Sequence, residues 1–79
     1  MELHKGDFIQ IIKLADKSTW LNRKEEIEGK IAKVGTVHGM VGDNYHLYLE
    51  VLNSKWTQHG AYIKELKKIS EEEILAYLI

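Results

Sequence analysis

The sequence predicts a mostly β fold: a small five-stranded barrel followed by a short C-terminal α-helix. Three observations predict it. Gly6-Asp7-Phe8-Ile9-Gln10-Ile11 opens one strand at a Gly-Asp pair, and Gly29-Lys30-Ile31-Ala32-Lys33-Val34 opens another at a glycine that lets the chain bend back. Tyr45 to Val51 alternates apolar and polar residues with period two, the pattern of a strand with one wet side. Ser70 stands three residues before Glu73, which makes a capping box at the head of a helical tail.

Taken in order, the first strand runs from about Asp7 to Leu14, with Ile9 and Ile11 on one face and Phe8, Gln10 and Ile12 on the other. Ala15 to Glu28 is a polar loop carrying Trp20, with a short helical turn over Asn22 to Ile27. The second strand covers about Gly29 to His38. Ile31, Val34 and Val37 break strict alternation, which predicts a bulge or bend with Gly35 as its flexible point. Gly39 to Asn44 reads as a hairpin loop. The third strand, Tyr45 to Val51, turns Tyr45, Leu47, Leu49 and Val51 inward and His46, Tyr48 and Glu50 outward. Leu52 to Lys55 reads as a turn, Trp56 to His59 as a fourth strand and Gly60 to Ile63 as a short fifth. In the tail, Glu71, Glu72 and Glu73 suit the positive end of the helix dipole. Ile74, Leu75 and Leu78 form an apolar stripe, and a helix of about two turns needs a surface to dock on.

Size and composition exclude much. A chain of 79 residues holds one domain and buries only about 60–65% of the surface its unfolded form exposes. With no cysteine, it has neither disulfides nor thiolate metal ligands. Eleven Lys+Arg against twelve Asp+Glu give a net charge of −1, whereas a protein that grips phosphates carries a basic excess or a concentrated basic face. The first residues form no signal peptide, and no apolar run approaches the ~20 residues that cross a bilayer. The expectation is a soluble, cytoplasmic protein.

Gly6-Asp7-x-Ile9-x-Ile11, Trp20 in the following loop, and Glu28-Gly29-Lys30-Ile31-Ala32-Lys33-Val34 together resemble the first half of the SH3-like barrels of electron-transport accessory proteins. That group includes the small stromal accessory subunit of photosystem I and the variable chain of ferredoxin–thioredoxin reductase. Tyr45 to Val51 resembles their central strand, and His59-Gly60-Ala61-Tyr62-Ile63-Lys64-Glu65-Leu66 their closing segment. The likeness covers residues 5 to 69 by order and spacing. The first half is also similar to the KOW motif of ribosomal and transcription proteins. The chain departs from these patterns in its longer loop before Gly29, its extra helix after Ser70 and its lack of the basic surface of KOW proteins. The resemblance implies a noncatalytic module that presents loops to a larger partner. Such a chain also suits a phage or other mobile-element protein.

No residue set spells out a reaction. His4, His38, His46 and His59 match no metal-ligand spacing, although His38 and His46 fall where they can meet across a hairpin. Ser18, Ser54 and Ser70 lack the base and third group of an activated nucleophile. Gly39-Met40-Val41-Gly42 has no lysine and no following helix to make a phosphate loop. The reading is therefore not an enzyme, with no cofactor and no metal. Tyr45 and Tyr62 are assigned to the core. The predicted partner-binding residues are Trp20, Arg23, Met40, His46, Tyr48 and Trp56, because exposed aromatics anchor protein interfaces. The contact surface comprises the Trp20 loop, the Gly39 to Asn44 loop and the wet face of His46 and Tyr48. The rival is a KOW-like nucleic-acid-binding barrel, in which Lys30, Lys33, Lys55, Lys64, Lys67 and Lys68 line a groove. Self-association through Ile74, Leu75 and Leu78 is a third reading.

Overall fold

The alternating segments become strands because each has one face to bury. The computed structural model describes residues 2–16, 24–52 and 59–78, with backbone alone at 59, 60, 77 and 78. Its elements are β1 (Phe8–Leu14), α1 (Lys24–Ile27), β2 (Ile31–Val41), β3 (Asn44–Val51), β4 (His59–Ile69) and α2 (Glu71–Leu78). The four strands form one antiparallel sheet in which β1 pairs with both β2 and β4, β2 with β3, and β3 with β4, so the order closes on itself.

The inner face is the core. Ile9 and Ile11 of β1, Val34 of β2, Leu47, Leu49 and Val51 of β3 and Ile63 of β4 are fully buried, together with Ile27 from α1. The predicted faces of β1 and β3 are therefore the observed ones. The irregularity predicted at Gly35 is also observed: the β2–β3 register shifts between Val34 and Thr36, and again between Val37 and Gly39. Gly6, with φ of 95°, turns the chain into β1. There Asp7 accepts from the His4 backbone N–H at 2.8 Å and returns its own N–H to the His4 carbonyl at 3.0 Å. The Gly-Asp pair thus fixes where β1 begins.

Four strands stand among the described residues. The expected fourth strand, Trp56 to His59, lies outside them except for its last residue, and the expected short fifth, Gly60 to Ile63, is part of one continuous strand from His59 to Ile69. Its first half pairs with β3, from Leu49↔His59 to Tyr45↔Ile63, and its second half with β1, from Leu14↔Ile63 to Phe8↔Ile69. Among the described residues, β3 alone pairs with it at Gly60, and at Ile63 it has a partner on each side. The predicted Gly39 to Asn44 loop is also shorter. Met40 pairs with Tyr45 and Val41 with Asn44, which leaves Gly42-Asp43 as a two-residue turn; a bulge absorbs Gly39 without ending the strand.

A second, smaller cluster closes one end. Ile31, Ile69 and Ile74 are buried there, with Phe8 and Leu52 packed against them. Ile74 belongs to α2, whose capping box forms as predicted: the Glu73 N–H donates to Ser70 Oγ at 3.2 Å and the Ser70 N–H to Glu73 Oε1 at 3.4 Å. Of the predicted apolar stripe, Ile74 docks on the sheet and Leu75 is 61% exposed, while the Leu78 side chain lies outside what the structure describes.

Candidate functional site

Three strands project their outward residues onto one face. The His46 ring on β3 stacks on Tyr62 of β4, with centroids 4.4 Å apart and an 11° interplanar angle. On its other side it meets His38 of β2 at 4.5 Å, tilted by 32°. Cross-strand ring pairs of this kind hold a surface in one conformation and contribute roughly 0.5–1.5 kcal/mol each. The row corrects the assignment of Tyr62 to the core. Tyr62 is half-buried on the outer face, because Ala61 and Ile63 on either side of it are the residues that point inward.

Tyr48 stands two residues from His46 on the same face, 40% exposed. Its register partners are Thr36 on β2 and Gly60 on β4. Gly35 seats the ring: a Cβ at that position would lie 3.0 Å from Tyr48 Cδ1 and 3.3 Å from the Tyr48 carbonyl oxygen. Beside the ring is a groove of about 330 Å³ lined by Lys5, Gly6, Lys33, Val34, Gly35, Tyr48 and Glu50. That is near the lower end of ligand-pocket volumes, enough for part of a peptide side chain rather than a metabolite. Lys5, Lys33 and Glu50 give its margin both signs of charge.

Two of the remaining lysines are engaged by carboxylates. Lys68 Nζ lies 3.4 Å from Asp7 Oδ2, and Lys67 Nζ lies 3.5 Å from Glu73 Oε2. The backbone N–H of His4 holds the Asp7 carboxyl below its ordinary range, with Lys68 adding to the effect. The Ser70 backbone N–H does the same for Glu73, helped by Lys67.

Of the six predicted partner-binding residues, His46 and Tyr48 come together on the outer face. Met40 does not join them. It is 54% exposed, but it pairs with Tyr45 and so shares the opposite, core-side face of the hairpin beyond the end of the core. Trp20, Arg23 and Trp56 lie outside the described residues, as does Lys55. Sequence reasoning missed Gly35 as the seat of Tyr48, Tyr62 as a member of the ring row and Lys5 as a groove residue. The one available signal was Gly35 itself, read as a bend and not as space for a neighbouring ring. His38 and His46 do meet across the hairpin, yet no three His, Asp or Glu residues converge among the described residues. No helix among them is long and apolar enough to cross a membrane. Comparison with protein families, curated proteins and solved structures finds no match to this chain, so the face has to be interpreted from its own residues.

Proposed function

We propose that this chain is a noncatalytic protein-binding module, an accessory subunit or small modulator of a larger cytoplasmic enzyme or complex, built on an SH3-like barrel. The closed strand order and the bent β2 support the barrel reading. The observation that carries the function is Tyr48, a half-exposed aromatic held against Gly35 at the edge of a small groove and next to a stacked ring row. A pre-positioned aromatic loses little side-chain entropy when a partner covers it, the property that makes tyrosine an interface anchor. Trp20, which lies outside the described residues, is assigned to the same partner in this proposal. The engagement of Lys67 and Lys68 with carboxylates supports a protein partner over the nucleic-acid alternative, since paired lysines release fewer counterions from a phosphate backbone.

Affinity capture from the native host with mass-spectrometric identification tests the proposal. Tyr48→Ser and Trp20→Ala should each abolish retention of the specific partner while Tm stays within a few degrees. Retention that survives both substitutions refutes the proposed surface. Salt-sensitive retention on oligonucleotides would favour the KOW-like alternative instead.

A further inference from the structure

The distal half of β2 is an edge. β1 pairs with β2 only through Gln10↔Ile31, Ile9↔Ala32 and Phe8↔Lys33, and the N-terminal segment adds backbone bonds at Val34 alone. From Gly35 to Val41, β2 has β3 on one side and, among the described residues, no strand on the other. Sheet edges in natural proteins are guarded by Lys, by Pro, by inward charges or by bulges, and of these the distal half of β2 carries bulges alone. Gly35-Thr36-Val37-His38-Gly39-Met40-Val41 contains no Lys, Arg, Asp, Glu or Pro. Val37, Met40 and Val41 are 40%, 54% and 37% exposed.

We infer that this edge pairs, antiparallel and about a two-fold axis, with the same edge of a second copy of the chain. A row of edge backbone groups calls for another strand. The charge pattern chooses which strand. A segment with no Lys, Arg, Asp or Glu meets its own copy without like-charge repulsion. Centring the axis on His38 places Met40 opposite the second copy's Thr36. It also carries the exposed Asp43, in the turn at the hairpin tip, toward the second copy's Lys33 and Lys5, the two lysines of the groove where the edge begins. The axis makes that contact twice. The two bulges in β2 shorten the ladder available to the second strand, so these charge contacts set the register of a modest interface.

The inference goes beyond the capture of a foreign partner and is judged by oligomeric state alone. Sedimentation velocity of the intact chain, from low micromolar to near-millimolar concentration, should show a reversible dimer. Asp43→Lys and Lys33→Asp each leave like charges facing across the axis and should weaken dimerisation at least about tenfold. Mixing the two variants restores both contacts and should restore the dimer. Both positions are exposed, and a thermal melt of each variant verifies its fold. A wild-type chain that stays monomeric throughout overturns the inference. So does a dimer that Leu75→Asp dissociates and Asp43→Lys does not, or a variant mixture that remains monomeric.

Discussion

Gly35→Ala tests the seat of Tyr48 directly. Alanine is the better strand residue by roughly 0.5–1 kcal/mol, because glycine loses more backbone freedom on folding. The new methyl would sit 3.0 Å from Tyr48 Cδ1 and 3.3 Å from the Tyr48 carbonyl oxygen. Forcing a methyl into contacts that tight costs about 1–3 kcal/mol. The steric term is the larger, so the net loss is about 0.5–2 kcal/mol, a fall in Tm of about 4–8 °C for each kcal/mol. The ring contact is absent in a Tyr48→Ala background, where only the backbone oxygen crowds the methyl. There Gly35→Ala should be close to neutral, leaving a coupling energy of about 0.5–2 kcal/mol between the two sites. Urea denaturation of the four proteins in the cycle measures it. A Gly35→Ala that stabilises the wild type, or costs the same in both backgrounds, would mean that the ring does not rest on Gly35.

Two further outcomes follow from the ends of the sheet. Asp7 and Glu73 have lowered folded-state pKa values, so their contributions are complete above the unfolded carboxylate range of about 3.9–4.3 and are lost as pH falls through and below it; Asp7→Asn together with Glu73→Gln should flatten the acid limb of a stability–pH profile, and an unchanged slope would refute the assignment. Ser70→Ala removes the cap of α2 and should cost about 1 kcal/mol, appearing first as faster amide exchange along α2 and at Ile69, since Ile74 closes the smaller cluster over Ile31 and Ile69; exchange that rises uniformly over the whole sheet would contradict a local role for the cap.

What the sequence discloses of this fold depends on how sharply each strand separates a dry face from a wet one. β3 is legible almost residue for residue because Leu47, Leu49 and Val51 are fully buried while Tyr48 and Glu50 are exposed. β1 is legible for the same reason at Ile9 and Ile11, and α2 through the Ser70–Glu73 reciprocity, a purely local signal. β4 is obscured. Lys64, Glu65, Lys67 and Lys68 keep its second half exposed, and a charged run resembles a loop until the pairing with β1 is known. The distal part of β2 is obscured by Gly39 and Gly42, which suggest a loop; only the register with β3 shows that one of them is absorbed in a bulge. For the site, the shared face of His46 and Tyr48 follows from period two. Opposition to Gly35 and stacking on Tyr62 are cross-strand relations, and those depend on register.

The groove and the open edge have a common origin in a difference of length. β1 has seven residues and β2 has eleven. Their strand pairing ends at Phe8↔Lys33, Gly6 and Asp7 add backbone bonds to Val34, and there the positive φ of Gly6 and the His4–Asp7 turn draw the chain away from the sheet. Had β1 begun several residues earlier in extended form, it would have covered Gly35 to Val41 and filled the space beside Tyr48. Instead the departing segment leaves Lys5 beside the groove and the neutral half of β2 beyond it. The core is indifferent to this choice, since Leu47, Leu49 and Ile63 are fully buried without it. β2 outruns β1 because its distal half is the partner of β3, with Val37 opposite Leu47 and Met40 opposite Tyr45, so the length that builds the hairpin is also the length that leaves its outer edge open.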